Sequence, residues 1–283
     1  MSPQAATAAP AVRSGWSDGA PLRRDLVKVS AFFLRNWRMA YRNVFTVFEI
    51  VFWPIVNLLS VGLLTTFLEA PPQTVVFVLV GTFALSTVQV CQLDVAYAVM
   101  FDMWAKSVKH QLVAPIRPWH IALGAWLMGV VRGTAVFALQ AGVSHWAFGV
   151  NVLAHGPGPA AALLAGLLVS AAGVGLLVST LLMLFGLRAE VSAWSGVSLV
   201  LLLCGVYYPV SILPAPLQAV AAAVPFTHFL EAFRAHLGYA PVFAAPLLRG
   251  YGLAVVYVAG GYALFTWAIH RARRTGMLLK LSD

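Results

Sequence analysis

Three ionisable side chains fall in or beside long apolar runs, where a charge is costly and by default indicates a function. Glu49 lies near the start of the first run, Asp94 near the end of the second, and Arg132 about thirteen residues into the third. Because a helix rises about 1.5 Å per residue, Arg132 lies roughly 20 Å along its run. The pattern favours an ion pair between Arg132 and one of the two acids that locks helix packing. An arginine that faces a bound substrate and recognises its anionic group is the alternative.

Residue patterns for covalent or metal chemistry are missing from the sequence. It contains no HExxH, GxSxG, CxxC or Walker A motif. The seven histidines share no helical face, and Cys91 and Cys204 lie inside apolar runs without ligand spacing. We therefore expect no catalytic residue, no metal site and no cofactor bound by this chain. An intramembrane enzyme of lipid or glycan metabolism is the alternative of another class, but it would show acids or histidines clustered near one interface.

The composition is typical of a polytopic membrane protein. Of the 283 residues, 61% are hydrophobic and 10% are charged, whereas soluble domains have about 25% charged residues; the mean hydropathy is +0.86. A membrane-spanning helix needs roughly 20 mostly apolar residues. Six windows meet this length, at residues 45–68, 74–98, 119–148, 160–186, 191–211 and 250–269. We therefore predict an all-α membrane protein with six transmembrane helices.

The basic residues indicate the orientation of the chain. With six spans, 15 of the 18 lysine and arginine residues lie on one side, which the positive-inside rule assigns to the cytoplasm. Both termini are therefore predicted to be cytoplasmic, with residues 1–20 as a disordered tail and residues 271–283 as a basic tail. A net charge of +9 that follows from topology requires no nucleic acid. Since no compact basic and aromatic patch is present either, we expect no nucleic-acid partner.

Two amphipathic segments are predicted on the cytoplasmic side. Residues 21–43, "PLRRDLVKVSAFFLRNWRMAYRN", repeat apolar residues at three- and four-residue steps with arginines between them. Such a helix lies flat on the membrane with its arginines toward anionic lipid, although a topogenic anchor is the alternative. Residues 101–124, "FDMWAKSVKHQLVAPIRPWHIALG", predict a second helix at about 102–114 that prolines terminate. It could dock into the groove of a soluble partner, or be an ordinary solvated loop helix.

A proline-rich segment separates the last two apolar windows. Residues 205–234 read "GVYYPVSILPAPLQAVAAAVPFTHFLEAFR". We interpret residues 209–236 as a re-entrant helical hairpin, because non-helical backbone at membrane depth is tolerated where protein buries it. Four aromatic residues here have flat faces that could stack on sugar rings, or could form an interfacial belt: Tyr207, Tyr208, Phe226 and Phe229.

In this order, the segments resemble the membrane subunit of an ABC-2 type ATP-binding-cassette exporter, over nearly the whole chain from about residue 21. The resemblance rests on "EIVFWPIVNLL" with Glu49, Trp53 and Pro54, on "LVAPIRPWHIALG", and above all on residues 205–234. Many members begin the cytoplasmic helix with a Glu-rich stretch followed by Gly-Thr. This chain has "FDMWAKSVKH" instead, where Asp102 stands in the place of the acid.

The resemblance implies an architecture and partners. Residues 44–270 would form the transmembrane domain, with the re-entrant hairpin between helices five and six. This half-channel would pair with a second copy of itself, as a homodimer, and with separate ATPase subunits that bind ATP and magnesium. The segment 102–114 would be the coupling helix on the ATPase, and residues 21–43 the interface helix beside it. The coupling contacts would come from Asp102, Lys106, Lys109, Leu112 and Pro115.

The resemblance also implies a transport function. The chain would be a multi-pass protein of the bacterial cytoplasmic (inner) membrane, surrounded by lipid, with spans one, two and five as walls of the pathway. The favoured substrate class is an exported glycan or glycolipid, and amphipathic drugs or lipids are the alternative. The pathway residues would be Tyr207, Tyr208, Phe226 and Phe229.

Overall fold

The structure of the protein is a computed structural model that describes residues 21–42, 44–107, 116–154 and 156–275. Within these ranges the chain forms α-helices, two short 3₁₀ turns and no strand. The nine α-helices are α1 Pro21–Arg42, α2 Val44–Phe67, α3 Pro72–Trp104, α4 Pro118–Phe148, α5 Pro157–Phe185, α6 Glu190–Leu203, α7 Ala215–Ala223, α8 Pro225–His236 and α9 Pro246–Thr275.

Proline and glycine set several helix ends. Helices α3, α4, α5 and α8 each begin with proline, whose fixed φ suits the first helical position and whose missing N–H is not needed there. Helix α4 ends where Gly149 adopts the left-handed conformation, with φ of 68°. These local signals explain why the observed ends of α4 lie close to the predicted window 119–148.

Four helical stretches of the described chain are long and apolar enough to cross a membrane. They are α3, α4, α9 and the unit Pro157–Ser198, in which α5 continues through a 3₁₀ turn into α6. Helix α2 covers the first predicted window, and its described apolar part, Val51–Phe67, is shorter. Helix α6 has 14 residues and ends at Leu203 rather than at 211. The chain is therefore an all-helical, multi-pass membrane protein, and the number of six spans stays a prediction.

Helix α3 lies at the centre of the helix bundle. It packs against α2, α4, α5 and α6, and 67% of its apolar window is buried, compared with 28% for α9. Helices at the periphery of a membrane protein can leave apolar side chains exposed because lipid surrounds them. Several polar side-chain contacts between helices also end on α3, namely those made by Arg35, Arg132, Gln140 and Arg234.

Helix α1 covers residues 21–42 of the segment predicted to lie at the membrane surface. Val29 and Phe32 are buried and pack against α4, whereas Leu26 and Tyr41 are 61% and 74% exposed. The apolar side of this helix is thus divided between a strip that docks onto the bundle and a strip that stays open to surrounding lipid.

Two predicted boundaries differ from the structure. Helix α3 continues through Trp104, so the start of the segment predicted as a separate coupling helix at 102–114 is the last turn of α3. Residues 108–115 lie outside the described residues. At the other end of the chain, residues 271–275 continue α9 and do not belong to a separate basic tail. The predicted tail 1–20 also lies outside the described part.

The proline-rich segment forms two short helices. After the 3₁₀ turn Val210–Ile212, α7 and α8 follow each other and are joined at Val224. Helix α8 packs against α5 and α9 and is buried from Pro225 to Arg234. The structure thus has two short helices in the segment predicted as a re-entrant hairpin, and the hairpin itself stays a prediction.

Candidate functional site

A partly enclosed cleft of about 440 Å³ lies between α2, α3, α4 and α6. Most of its lining is aliphatic or aromatic, including the rings of Trp53, Tyr97 and Trp194. Its polar lining consists of hydroxyl, amide and guanidinium groups from Asn57, Ser60, Ser86, Gln89 and Arg132. Helices α2, α3 and α6 correspond to the first, second and fifth predicted spans, and these are the spans that the resemblance assigned to a pathway.

A buried amide holds the helices behind the cleft together. The side chain of Gln140 on α4 is fully buried. Its Nε2 donates to the Pro54 carbonyl of α2 at 2.8 Å and to the Ser86 hydroxyl of α3 at 3.3 Å. Because buried polar groups are costly unless they are hydrogen-bonded, this amide fixes the positions of α2 and α3 relative to α4.

Arg132 on α4 forms an ion pair with Asp94 on α3 at the edge of this cleft. The Asp94 side chain is 5% exposed and the Arg132 side chain 13% exposed. Removing two charges from water is costly, and close pairing offsets part of that cost. The structure thus pairs Arg132 with Asp94. The side chain of Glu49, the other candidate acid, lies outside the described residues.

The ion pair leaves hydrogen-bonding capacity unused. Asp94 Oδ2 and Arg132 Nε are both buried and have no hydrogen-bond partner. Arg132 also lines the cleft. Arg132 thus pairs with Asp94 and also forms part of the cleft surface, and its recognition of an anionic substrate group stays a prediction.

A second buried arginine, Arg234 on α8, holds the non-helical segment that follows α6 in place. Its side chain is 3% exposed and donates to the carbonyls of Gly205, Val206 and Phe77 at 2.6, 2.8 and 2.9 Å. Its guanidinium also lies over the Phe77 ring, 3.4 Å from the centroid. Gly205 and Val206 follow the last residue of α6, and Phe77 lies near the start of α3, so this side chain joins the segment after α6 to α3. The sequence marks Arg234 as polar but does not predict this role.

A glycine permits the close approach that Arg234 secures. A Cβ atom on Gly81 of α3 would lie 2.0 Å from the Val206 carbonyl oxygen, a distance that only a backbone shift could relieve. The segment after α6 therefore crosses α3 at a point where α3 has no side chain.

The four aromatic residues predicted to line a pathway lie away from the cleft. Tyr207 is 41% exposed, and the Tyr208 hydroxyl donates to the Leu202 carbonyl. Phe226 and Phe229 are 3% and 1% exposed and belong to the hydrophobic core. The edge of Phe229 borders a smaller cavity of about 280 Å³ beside α5 and α9. In this structure the predicted group is divided between surface and core.

The aromatic residues that do line the cleft come from three helices. Trp53 is part of the motif "EIVFWPIVNLL" that supported the resemblance, so a sequence signal for it existed. Tyr97 and Trp194 carried no such signal, because their position depends on how α6 packs against α3. Their rings approach each other edge to face, with centroids 6.2 Å apart.

The interface helix is tied to the end of α3. Arg35 Nη1 donates to both carboxylate oxygens of Asp102 at 2.9 and 3.1 Å, and the Ser107 hydroxyl donates to the same carboxylate at 3.1 Å. Asp102 is 7% exposed, so its contacts lie within this chain. Lys106 is exposed, with φ of 53°. The remaining predicted coupling residues lie outside the described part: Lys109, Leu112 and Pro115.

A second tie joins α1 to α4. His120 is fully buried, and its Nδ1 accepts a hydrogen bond from the Arg117 backbone N–H at 3.0 Å. Nε2 therefore carries the ring hydrogen and donates to Asp25 on α1, also at 3.0 Å. This hydrogen bond lowers the pKa of the Asp25 carboxyl below its usual value.

Comparisons with known proteins agree with this arrangement. The fold and cleft define a multi-pass helical membrane protein, and the family model for ABC-2 type transporters matches residues 27–237, more than half of the chain. The chain therefore belongs to the ABC-2 type transporter family. An uncharacterized protein of Archaeoglobus fulgidus is 45% identical over 54 residues, which cover 19% of this chain and 84% of that protein.

Proposed function

We propose that this chain is the permease subunit of an ATP-driven exporter and that its cleft forms half of the translocation pathway. The observation that carries the proposal is the cleft between α2, α3, α4 and α6 in a chain of the ABC-2 type transporter family. Its mixture of an apolar lining with a few polar groups is typical of sites that bind small amphipathic molecules.

A second copy of the chain would complete the pathway. One chain encloses the cleft only partly, and large apolar side chains on its wall helices remain exposed, among them Trp53 at 61% and Val191 at 70%. Two copies related by a twofold axis would place these faces opposite each other. We therefore propose a homodimer, with the remaining apolar surface in contact with membrane lipid.

A separate ATPase subunit would supply the energy, with ATP and magnesium bound there and not by this chain. Because Asp102 is already engaged by Arg35 and Ser107, we assign it the positioning of the coupling segment. Direct contacts with the ATPase would then come from Lys106, Lys109, Leu112 and Pro115. We further propose that both termini lie on the cytoplasmic side of a bacterial inner membrane, in agreement with the positive-inside rule.

The substrate would be amphipathic, and a glycolipid is the class we propose. The aliphatic and aromatic lining suits an apolar chain, while the amides of Asn57 and Gln89 offer hydrogen bonds to a polar head group. A free, fully polar glycan would leave this lining without suitable partners. Amphipathic drugs or lipids are the second candidate, because the same apolar lining favours them.

The first experiment is purification of the tagged chain in mild detergent from its native cells, followed by mass spectrometry and an ATPase assay. We expect a Walker A protein to copurify and its activity to fall in the charge-reversed variant Lys109→Glu. The matched control is Arg249→Glu, which reverses an exposed charge on α9, a position predicted to lie on the opposite side of the membrane.

Two results would contradict the proposal in different ways. A chain that purifies without any ATPase and shows no ATP hydrolysis would rule out the exporter. Equal loss of activity in both charge-reversed variants would retain the exporter but reject Lys109 as a coupling contact.

A further inference from the structure

We propose that the Arg132–Asp94 pair is the determinant of head-group specificity in the cleft, and that it selects amphiphiles whose polar head is rich in hydroxyl groups and carries no net charge. This inference rests on the proposed function, because it specifies which substrates the same cleft accepts. It also predicts that the cleft rejects anionic head groups, although a buried arginine alone would suggest the opposite.

The position of the pair makes it part of the binding surface. Arg132 lines the cleft, and it is the charged residue among the described side chains of the lining. Asp94 lies behind it and is 5% exposed. A ligand that reaches Arg132 therefore meets a guanidinium whose charge a carboxylate already balances.

The charge balance of the cleft favours a neutral ligand. An anionic head group would bring a second negative charge next to Asp94, or would displace Asp94 and leave its carboxylate buried without a partner. A cationic head group would add a second positive charge beside Arg132. A neutral head group avoids both costs. The pair thus acts mainly by excluding the wrong ligands, which is a common source of specificity.

The unused hydrogen-bonding capacity favours hydroxyl groups. Arg132 Nε is a donor and Asp94 Oδ2 an acceptor, and neither has a partner. A hydroxyl group both donates and accepts, so it can satisfy either atom after a small movement of the guanidinium into the cleft. Asn57 and Gln89 add amide donors and acceptors to the same lining.

The remaining lining accommodates the apolar part of such a ligand. Val56, Val90 and Leu93 present aliphatic surface, and the Trp53 and Trp194 rings are 61% and 39% exposed. A flat aromatic face can pack against an alkyl chain or against the C–H face of a sugar ring. The cleft thus combines an apolar lining with one polar, charge-balanced position.

The test uses the full chain reconstituted in phosphatidylcholine vesicles and three photoreactive probes. The probes share one twelve-carbon alkyl chain with a diazirine and differ in the head group, which is glucoside, phosphate or trimethylammonium. After irradiation, mass spectrometry maps the labelled peptides. We expect the glucoside probe to label residues 53–60 and 86–97 at least about tenfold more than either charged probe. Equal labelling by the phosphate probe would overturn the proposal.

Variants of the pair separate specificity from structural support. Asp94→Asn leaves the Arg132 charge unbalanced, so we expect preference to shift from the glucoside to the phosphate probe by about tenfold or more. The double variant Asp94→Leu with Arg132→Leu should lose the glucoside labelling. Arg35→Gln removes an Arg–Asp pair away from the cleft and should leave the order of the probes unchanged.

A purely structural ion pair predicts a different outcome, namely that labelling falls in proportion to folded protein and the order of the probes stays the same. That result with Asp94→Asn would refute the proposal. If the variants do not fold, competition on the native chain decides, because unlabelled octyl glucoside should compete and octyl phosphate should not. No ATPase enters this test, so its result is independent of whether the ATPase copurifies.

Discussion

Arg132 and Arg234 are both buried between helices, but different chemical groups contact their guanidinium groups. Arg132 faces one carboxylate, Asp94, and lies at the edge of a cleft. Arg234 is surrounded by main-chain carbonyls and by the Phe77 ring. The partner of Arg132 is a side chain, so a double substitution can remove both members of the ion pair. The partners of Arg234 are main-chain carbonyls, which no substitution removes.

This difference is the basis for proposing a binding role for Arg132 and a structural role for Arg234. A buried carbonyl without a donor is costly whatever side chain replaces the arginine, so Arg234 has few possible substitutes. A buried ion pair can often be replaced by apolar side chains with little loss of stability. An ion pair kept beside a cleft is therefore better explained by what enters the cleft than by stability.

The largest loss of stability is expected for the variant Arg234→Met. The variant leaves the carbonyls of Gly205 and Val206 without donors and removes a second donor from the Phe77 carbonyl. At about 1–3 kcal/mol for each of the two unsatisfied groups, we expect the free energy of unfolding to fall by about 4 kcal/mol. Denaturant unfolding in detergent measures it. Arg249→Met, at an exposed arginine on α9, is the control. A loss of stability below about 1 kcal/mol would show that Arg234, like the Arg132–Asp94 pair, is not required for stability.

Asp94→Asn should cost somewhat less, about 3 kcal/mol, because it leaves Arg132 buried without its counter-charge. The double variant Asp94→Leu with Arg132→Leu should unfold within about 1 kcal/mol of the native protein. The same unfolding measurement provides both values. A double variant as unstable as the single one would show that the pair is structural and remove the contrast with Arg234.

Gly81→Ala tests the close approach of α3 to the Val206 carbonyl. We expect the free energy of unfolding to fall by about 2 kcal/mol. The added methyl group would meet the Val206 carbonyl, which cannot move without releasing its hydrogen bond. Gly142→Ala on α4 is the matched control, because its new methyl group meets no atom within 4 Å. Helix propensity predicts that this control is more stable by about 0.5–1 kcal/mol. Equal stability of both variants would contradict the close approach at Gly81.

The smallest change in stability is expected for the hydrogen bond between His120 on α4 and Asp25 on α1. The hydrogen bond from His120 lowers the pKa of Asp25, so its stabilising contribution is present above the unfolded value of 3.8 and is lost as the pH falls below it. The native protein should therefore lose slightly more stability than Asp25→Asn on acidification below pH 3.8. Since Asp25 is accessible to solvent, the difference is small. Parallel pH profiles for the two proteins would show that the tie contributes nothing.

The sequence predicts one of the two arginine sites and not the other. A charge inside an apolar run needs a partner, so Asp94 was already one of two candidates for Arg132. The partners of Arg234 are main-chain carbonyls on α3 and in the segment after α6, and only tertiary packing determines which carbonyls they are. No residue type or spacing marks Gly205, Val206 or Phe77 as acceptors.

The same limit applies to helix ends and to buried faces. Proline and glycine mark the ends of α4, so its extent is predicted closely. Hydropathy ends the second span near residue 98, but α3 continues to Trp104, and Arg35 pairs with Asp102 in this last part of the helix. Phe226 and Phe229 were predicted on a pathway, because the sequence cannot show that α8 is buried by α5 and α9. The roles of the residues in 108–115 stay predictions.

The contact between Arg234 and Phe77 joins positions 157 residues apart, which has a consequence for biosynthesis. As the chain leaves the ribosome, α3 and α6 are complete before α8 has been made, so the carbonyls of Gly205 and Val206 have no side-chain donor until Arg234 is present. Unsatisfied backbone groups are poorly tolerated in lipid. A nascent chain that ends before residue 234 therefore lacks the side chain that joins α3 to the segment after α6.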